Sequence, residues 1–133
     1  MELESLDLDW DLIFLGRKIL RDVEEPWVSG SQVLVHVNYT YWTLAYMLTG
    51  RGAQKLVDEG PLAKMVPVDE YLPIMYDRHP KEEWKSHYVN RDLVAFAVHP
   101  QFVHPTHYVG DEGYLSDTED TETAKSSHGK DEL

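Results

Sequence analysis

Cysteine is absent from these 133 residues. No disulfide can staple this stretch, so its fold must rest on an apolar core or on packing against further polypeptide. Basic charge is scarce as well: 12 Lys and Arg stand against 24 Asp and Glu, a net charge of −12. Such a chain repels nucleic acid and anionic membrane surfaces, and it has no basic stripe to offset that repulsion. No apolar run approaches the length of a bilayer span, so no membrane-spanning helix is expected. Internal repeats are missing too. The opening "MELESLDLDWD" carries acids where a secretory leader needs bases, and "LIFLG" is too short for a leader's apolar centre.

The other end raises a question about that missing leader. Lys130-Asp131-Glu132-Leu133, at a free C-terminus, is the address that returns soluble proteins to the endoplasmic reticulum. It implies the endoplasmic reticulum lumen as location and the KDEL receptor as partner. A retrieval address serves only a protein that has entered the secretory pathway. The expectation is therefore that Met1 is not the true start, and that the chain is the C-terminal piece of a longer luminal protein. "NYT" at Asn38-Tyr39-Thr40 fits the N-glycosylation pattern and agrees with that location, although the tripeptide is common and adjoins an aromatic run. The tail, residues 115–133, is polar, acidic and poor in apolar side chains, and is expected to be disordered behind a globular portion, residues 1–114.

What is present is globular in kind, with 42% hydrophobic residues, 4 Trp and 8 Tyr. "DLIFLG" reads as a short buried strand from Asp11 that ends at Gly16. "RKILRDVEEPWVSGSQ" reads as a charged loop punctuated by Pro26 and Gly30. "VLVHV" alternates and is β-branched, which predicts a strand from Val33 to Val37. "YTYWTLAYML" is aromatic and leans towards strand. From Thr49 the pattern turns helical, with Thr49 as N-cap, Ala53, Leu56 and Val57 at helical spacing, and Gly60 as the stop. A second helix is predicted to open at Pro67 and end near His79-Pro80, short or kinked because Pro73 lies inside it. Residues Leu93 to Val98 form the strongest strand signal. The result is α/β character with too few strands for a complete nucleotide-binding α/β domain.

Three clusters invite chemistry. Asp7, Asp9 and Asp11 in "DLDWD" suggest an Asp-x-Asp metal motif, but they precede the apolar run, at the end of the strand away from a crevice. A solvated acidic entry to a strand fits them better. Asp69 and Glu70 follow a Val-Pro-Val run at the start of a helix, where the dipole favours an ionised carboxylate able to accept a proton. First-turn acids that merely complement the dipole are the plain alternative. His99, His104 and His107 cluster in "HPQFVHPTHY"; histidine ligates metals, but the Glu of a zinc-protease motif is absent and two prolines interrupt the run. Surface histidines in a Pro-rich loop are the alternative there.

These stretches resemble glycosyltransferase family 25, in the animal branch that includes procollagen galactosyltransferases. The matching blocks are "DWDLIFLGRK", "YTYWTLAYMLTGRGAQKLV", "PLAKMVPVDEYLPIMYDRHP", "DLVAFAVHP" and "PTHYVGDEGYLSDTE", in family order over roughly residues 9–120. The resemblance implies the C-terminal portion of a GT-A-like domain, incomplete, in the endoplasmic reticulum. It implies transfer of galactose from UDP-galactose to procollagen hydroxylysine, with Mn2+ and with inversion at the anomeric carbon. On that footing Asp69 is the candidate base, with Glu70 second, and His107 the candidate metal ligand. Tyr41 and Trp42 are candidate walls of a sugar or acceptor site, with core aromatics as the alternative. The family's nucleotide-binding half and its Asp-x-Asp lie outside the matched part, so no activity is expected of these residues alone. A catalytically inactive relative with an adhesion or binding role is the competing reading.

Overall fold

A computed structural model describes residues 2–20, 23–106 and 112. The acidic tail from residue 113, the retrieval address and His107 lie outside the described residues. The described part is a mixed α/β structure around one small sheet. In chain order it runs α1 (Glu2–Ser5), β1 (Leu12–Lys18), β2 (Leu34–His36), β3 (Tyr41–Leu48), α2 (Gly50–Asp58), a 3-10 turn (Pro61–Ala63), α3 (Val68–Met75), α4 (Glu82–Lys85) and β4 (Ala95–Val98). No described helix is long and apolar enough to cross a membrane.

The sheet order is β2-β4-β1-β3. β1 runs parallel to β4 and antiparallel to β3, and β2 pairs antiparallel with β4. Successive side chains of a strand point to opposite faces, and β1 shows it. Leu12 and Phe14 join one core with Tyr71, Leu72, Met75 and Ala97, whereas Ile13 joins another with Val28, Leu34 and Phe96. α3 covers the first face. The N-terminal segment covers the second, through Leu3, Leu6, Leu8 and Trp10.

The strands from Val33, Tyr41 and Leu93 stand where the pattern places them, each within a few residues. Thr49 is the predicted N-cap, its hydroxyl accepting from Gly52 N–H at 2.9 Å, and Gly60 takes the left-handed conformation (φ 65°) that stops α2. Four expectations are corrected. β1 does not end at Gly16 but passes through it to Lys18, with irregular register against β3. Gly16 is required there for room: a Cβ would stand 2.6 Å from the Val103 carbonyl oxygen. Val57 points outwards, 67% exposed, and Gly52 is the buried contact of α2. α3 stops at Met75, short of His79-Pro80, because Tyr76 and then Asp77 (φ 60°) leave helical geometry. Finally, the "charged loop" contains Trp27 bridged to Val35, and Arg17 buried in a two-pronged ion pair with Glu25 (2.5 and 2.6 Å).

Candidate functional site

The carboxylate pair sits on the first turn of α3. Pro67 precedes the helix without a side-chain cap, and its carbonyl accepts from Glu70 N–H and Tyr71 N–H at 3.0 and 2.9 Å. Pro73, five residues into the helix, has no N–H to give the Asp69 carbonyl four residues back. Asp69 and Glu70 therefore occupy a short, lightly tied helix start, and their surroundings differ sharply.

Glu70 is bound inwards. Its Oε2 accepts from the Tyr39 hydroxyl at 2.8 Å and pairs with His79 Nε2 at 2.5 Å. Tyr39 and His79 are buried, and their rings meet edge to face at 4.9 Å. Burial pushes the Glu70 carboxyl up, but the bonds from His79 and Tyr39, with the nearby Lys81 charge, hold it below its ordinary value. The Tyr39 hydroxyl is pushed far up by burial, then by Tyr41 and the Glu70 charge, so it remains a donor.

Asp69 is half-buried and shifts the other way. Burial raises its carboxyl, the adjacent Glu70 charge adds to that, and the backbone N–H groups of Asp69 and Glu70 oppose it without prevailing. The helix dipole was expected to favour both anions; it does not decide Asp69. A carboxylate with a raised proton affinity is better matched to taking a proton from a hydroxyl.

The loop carrying Tyr39 is itself anchored. Glu25 Oε2 accepts from Asn38 N–H at 2.8 Å, and the Tyr76 hydroxyl donates to the Asn38 carbonyl at 2.9 Å. In the sequon, Asn38 Nδ2 bonds the Glu24 carbonyl at 3.3 Å, and the buried Thr40 hydroxyl donates to the Lys18 carbonyl at 2.6 Å. Tyr41 is buried with its ring 5.2 Å from that of Tyr39, and Trp42 is half-buried with the Lys18 ammonium 5.1 Å over its ring.

The N-terminal acids separate. The Asp9 side chain is 91% exposed, and Asp7 is exposed, as an acidic strand entry requires. Asp11 is not solvated, which corrects that reading. It is fully buried, with Oδ1 receiving Arg51 Nε at 2.8 Å and Oδ2 receiving Lys55 Nζ at 2.8 Å and Val94 N–H at 2.9 Å. Burial raises its carboxyl and these three bonds more than reverse the effect. Asp11 thus ties β1 to α2 and to the entry of β4. His99 and His104 are exposed, and among the described residues no three His, Asp or Glu side chains converge as metal ligands. An open hollow of about 340 Å³, lined by Ile19, Leu20, Val23, Glu25, Trp27, Val35 and His99, does not include the carboxylate pair.

Sequence reasoning placed Asp69 and Glu70 together and missed Tyr39 and His79. The only local hint was a histidine locked before a proline, in "DRHP", at the end of the same block.

The half-buried Asp69 carboxylate thus stands at the opening of a helix that covers one face of a small mixed sheet. No protein-family model matches the chain, and no solved structure is significantly similar to it. Curated relatives are close, however. The chain is 56% identical over 112 residues to a glycosyltransferase 25 family member of Anopheles gambiae, covering 84% of this chain and 19% of the relative. It is 56% identical over 120 residues to procollagen galactosyltransferase 1-A of Xenopus laevis, covering 89% and 20%. It is also 52% identical over 118 residues to the inactive glycosyltransferase 25 family member 3 of Homo sapiens, again covering 89% and 20%. Over most of its length the chain is thus homologous to proteins of the glycosyltransferase 25 family, and it spans about a fifth of the length of those it matches.

Proposed function

We propose that this chain is part of a GT-A-like hexosyltransferase that moves galactose from UDP-galactose to hydroxylysine of procollagen, in the endoplasmic reticulum lumen and with inversion. The supporting observation is 54–56% identity to procollagen galactosyltransferases over 120 residues, a stretch long enough to take in Asp69 and Glu70. The acceptor hydroxyl attacks the anomeric carbon from the face opposite UDP. A new C–O bond forms as the bond to the diphosphate oxygen breaks, and UDP leaves with the electron pair. The hydroxyl proton passes to the Asp69 carboxylate and from there to solvent.

Mn2+ belongs to this reading by resemblance, as the group that takes up charge on the departing diphosphate. The described residues do not by themselves fit a metal centre, and His107, the candidate ligand, lies outside them. Lys130 to Leu133 are proposed as the address read by the KDEL receptor.

The reading is tested by replacing the matching segment of a procollagen galactosyltransferase with this chain. Supplied with UDP-galactose and unglycosylated collagen, the chimera should form galactosyl-hydroxylysine of inverted anomeric configuration, detected by mass spectrometry and NMR. A folded chimera without product would favour the second reading, a non-catalytic binding protein, which the 52% identity to an inactive family member supports.

A further inference from the structure

Glu70 is held by two donors from two other segments. Tyr39 precedes β3, and His79 follows α3. The Tyr39 hydroxyl donates at 2.8 Å, and His79 Nε2 lies at 2.5 Å. The other imidazole nitrogen fixes the tautomer: Nδ1 accepts Lys81 N–H at 3.0 Å, so the proton is on Nε2 and is given to Glu70. Neither donor can turn away freely. The Tyr39 ring is held by Tyr41 at 5.2 Å, and His79 lies 5.2 Å from the Trp84 ring.

We propose that Tyr39 and His79 are positioning residues that act through Glu70, pinning the first turn of α3 and keeping a fixed negative charge beside Asp69. This rests on the reading of Asp69 as the base. The start of α3 has no side-chain cap, so the Glu70 bonds supply the restraint that a cap would otherwise give. The polar groups that act on Glu70 are His79, Tyr39 and Lys81, and those that act on Asp69 are the neighbouring Glu70 charge and the N–H groups of Asp69 and Glu70. With Glu70 fully ionised and immobile, Asp69 meets an undiminished like charge, which raises its affinity for the acceptor's proton.

The test is a carbon-detected NMR titration of the side-chain carboxyls in this chain, without any sugar present. Tyr39→Phe removes one oxygen from a buried ring and one donor from Glu70. The Glu70 midpoint should rise, and because Glu70 then titrates alongside Asp69, the Asp69 midpoint should fall. Glu70→Gln should lower the Asp69 midpoint further. His79→Gln, which retains an N–H donor, should keep more of the wild-type Asp69 midpoint than His79→Ala. Tyr71→Phe, on the same helix as Glu70, is the control: it loses a 2.6 Å bond to the Leu56 carbonyl of α2 without touching Glu70, and should leave both midpoints in place. An Asp69 midpoint unmoved by Tyr39→Phe, or moved equally by Tyr71→Phe, would overturn the proposal. The titration is independent of galactose transfer. A normal titration response with a dead chimera would therefore fault the transferase reading and leave the clamp standing.

Discussion

Replacing Asp11 with Ala removes a carboxylate that no solvent reaches and leaves three donors without it. Arg51 is half-exposed and returns to water, so its contribution is set aside. Val94 N–H is part of the entry to β4, and Lys55 is three-quarters covered while its second partner is the Asp92 carbonyl at 3.0 Å. Breaking a buried charged cluster from one side costs about 3–5 kcal/mol. For a domain of this size that corresponds to roughly 3–5 °C per kcal/mol, or a fall of about 9–25 °C in Tm. Asp11→Asn keeps one acceptor and should cost less, about 2 kcal/mol. Urea unfolding followed by circular dichroism supplies the numbers, and a double-mutant cycle with Lys55→Met should give a coupling of about 1–3 kcal/mol. The sign with pH is fixed as well. The folded Asp11 carboxyl titrates below its ordinary value, so its stabilisation is present above that value and is lost as pH falls through the folded one. A loss below about 1 kcal/mol for Asp11→Ala, or no coupling to Lys55, would refute the reasoning.

Gly16→Ala forces a Cβ to within 2.6 Å of the Val103 carbonyl and should cost about 1–3 kcal/mol in thermal unfolding, with Val103 amide exchange accelerated. Asp69 and Glu70 should respond oppositely. Glu70→Gln should destabilise by about 1–3 kcal/mol, since Tyr39 and His79 lose a charged acceptor. Asp69→Asn should leave Tm unchanged or raise it at neutral pH: its folded carboxyl is raised, so the anion opposes folding above the ordinary value, and that opposition fades as pH falls.

What could be read from the sequence was what is local. The cap at Thr49, the αL stop at Gly60 and the β-branched alternation of β2 need only neighbours within a few residues, and each lies where expected. Asp69 and Glu70 were visible for the same reason, as acids beside a proline at a helix start. The partners that give them different characters were not visible. Tyr39 reaches Glu70 across 31 residues, and Asp11 meets Lys55 across 44 and Val94 across 83. An aspartate that opens a strand looks the same whether it faces water or two basic side chains of a later helix. Arg17 and Glu25 misled in the same way, since two charges in a charged stretch suggest a solvated loop until the chain folds them together. Gly16 marked an end by its conformational freedom, when its use is to let residue 103 cross the sheet closely.

The most direct measurement is kcat for galactose transfer by the chimera carrying Asp69→Asn, beside the unaltered chimera and its Tm. With Asp69 as the base, kcat should fall by about 10²-fold or more while Tm holds or rises. A chimera with Asp69→Asn that turns over within a few-fold of the unaltered one would contradict the assignment, and an equal loss with Glu70→Gln at unchanged Tm would move the base to Glu70.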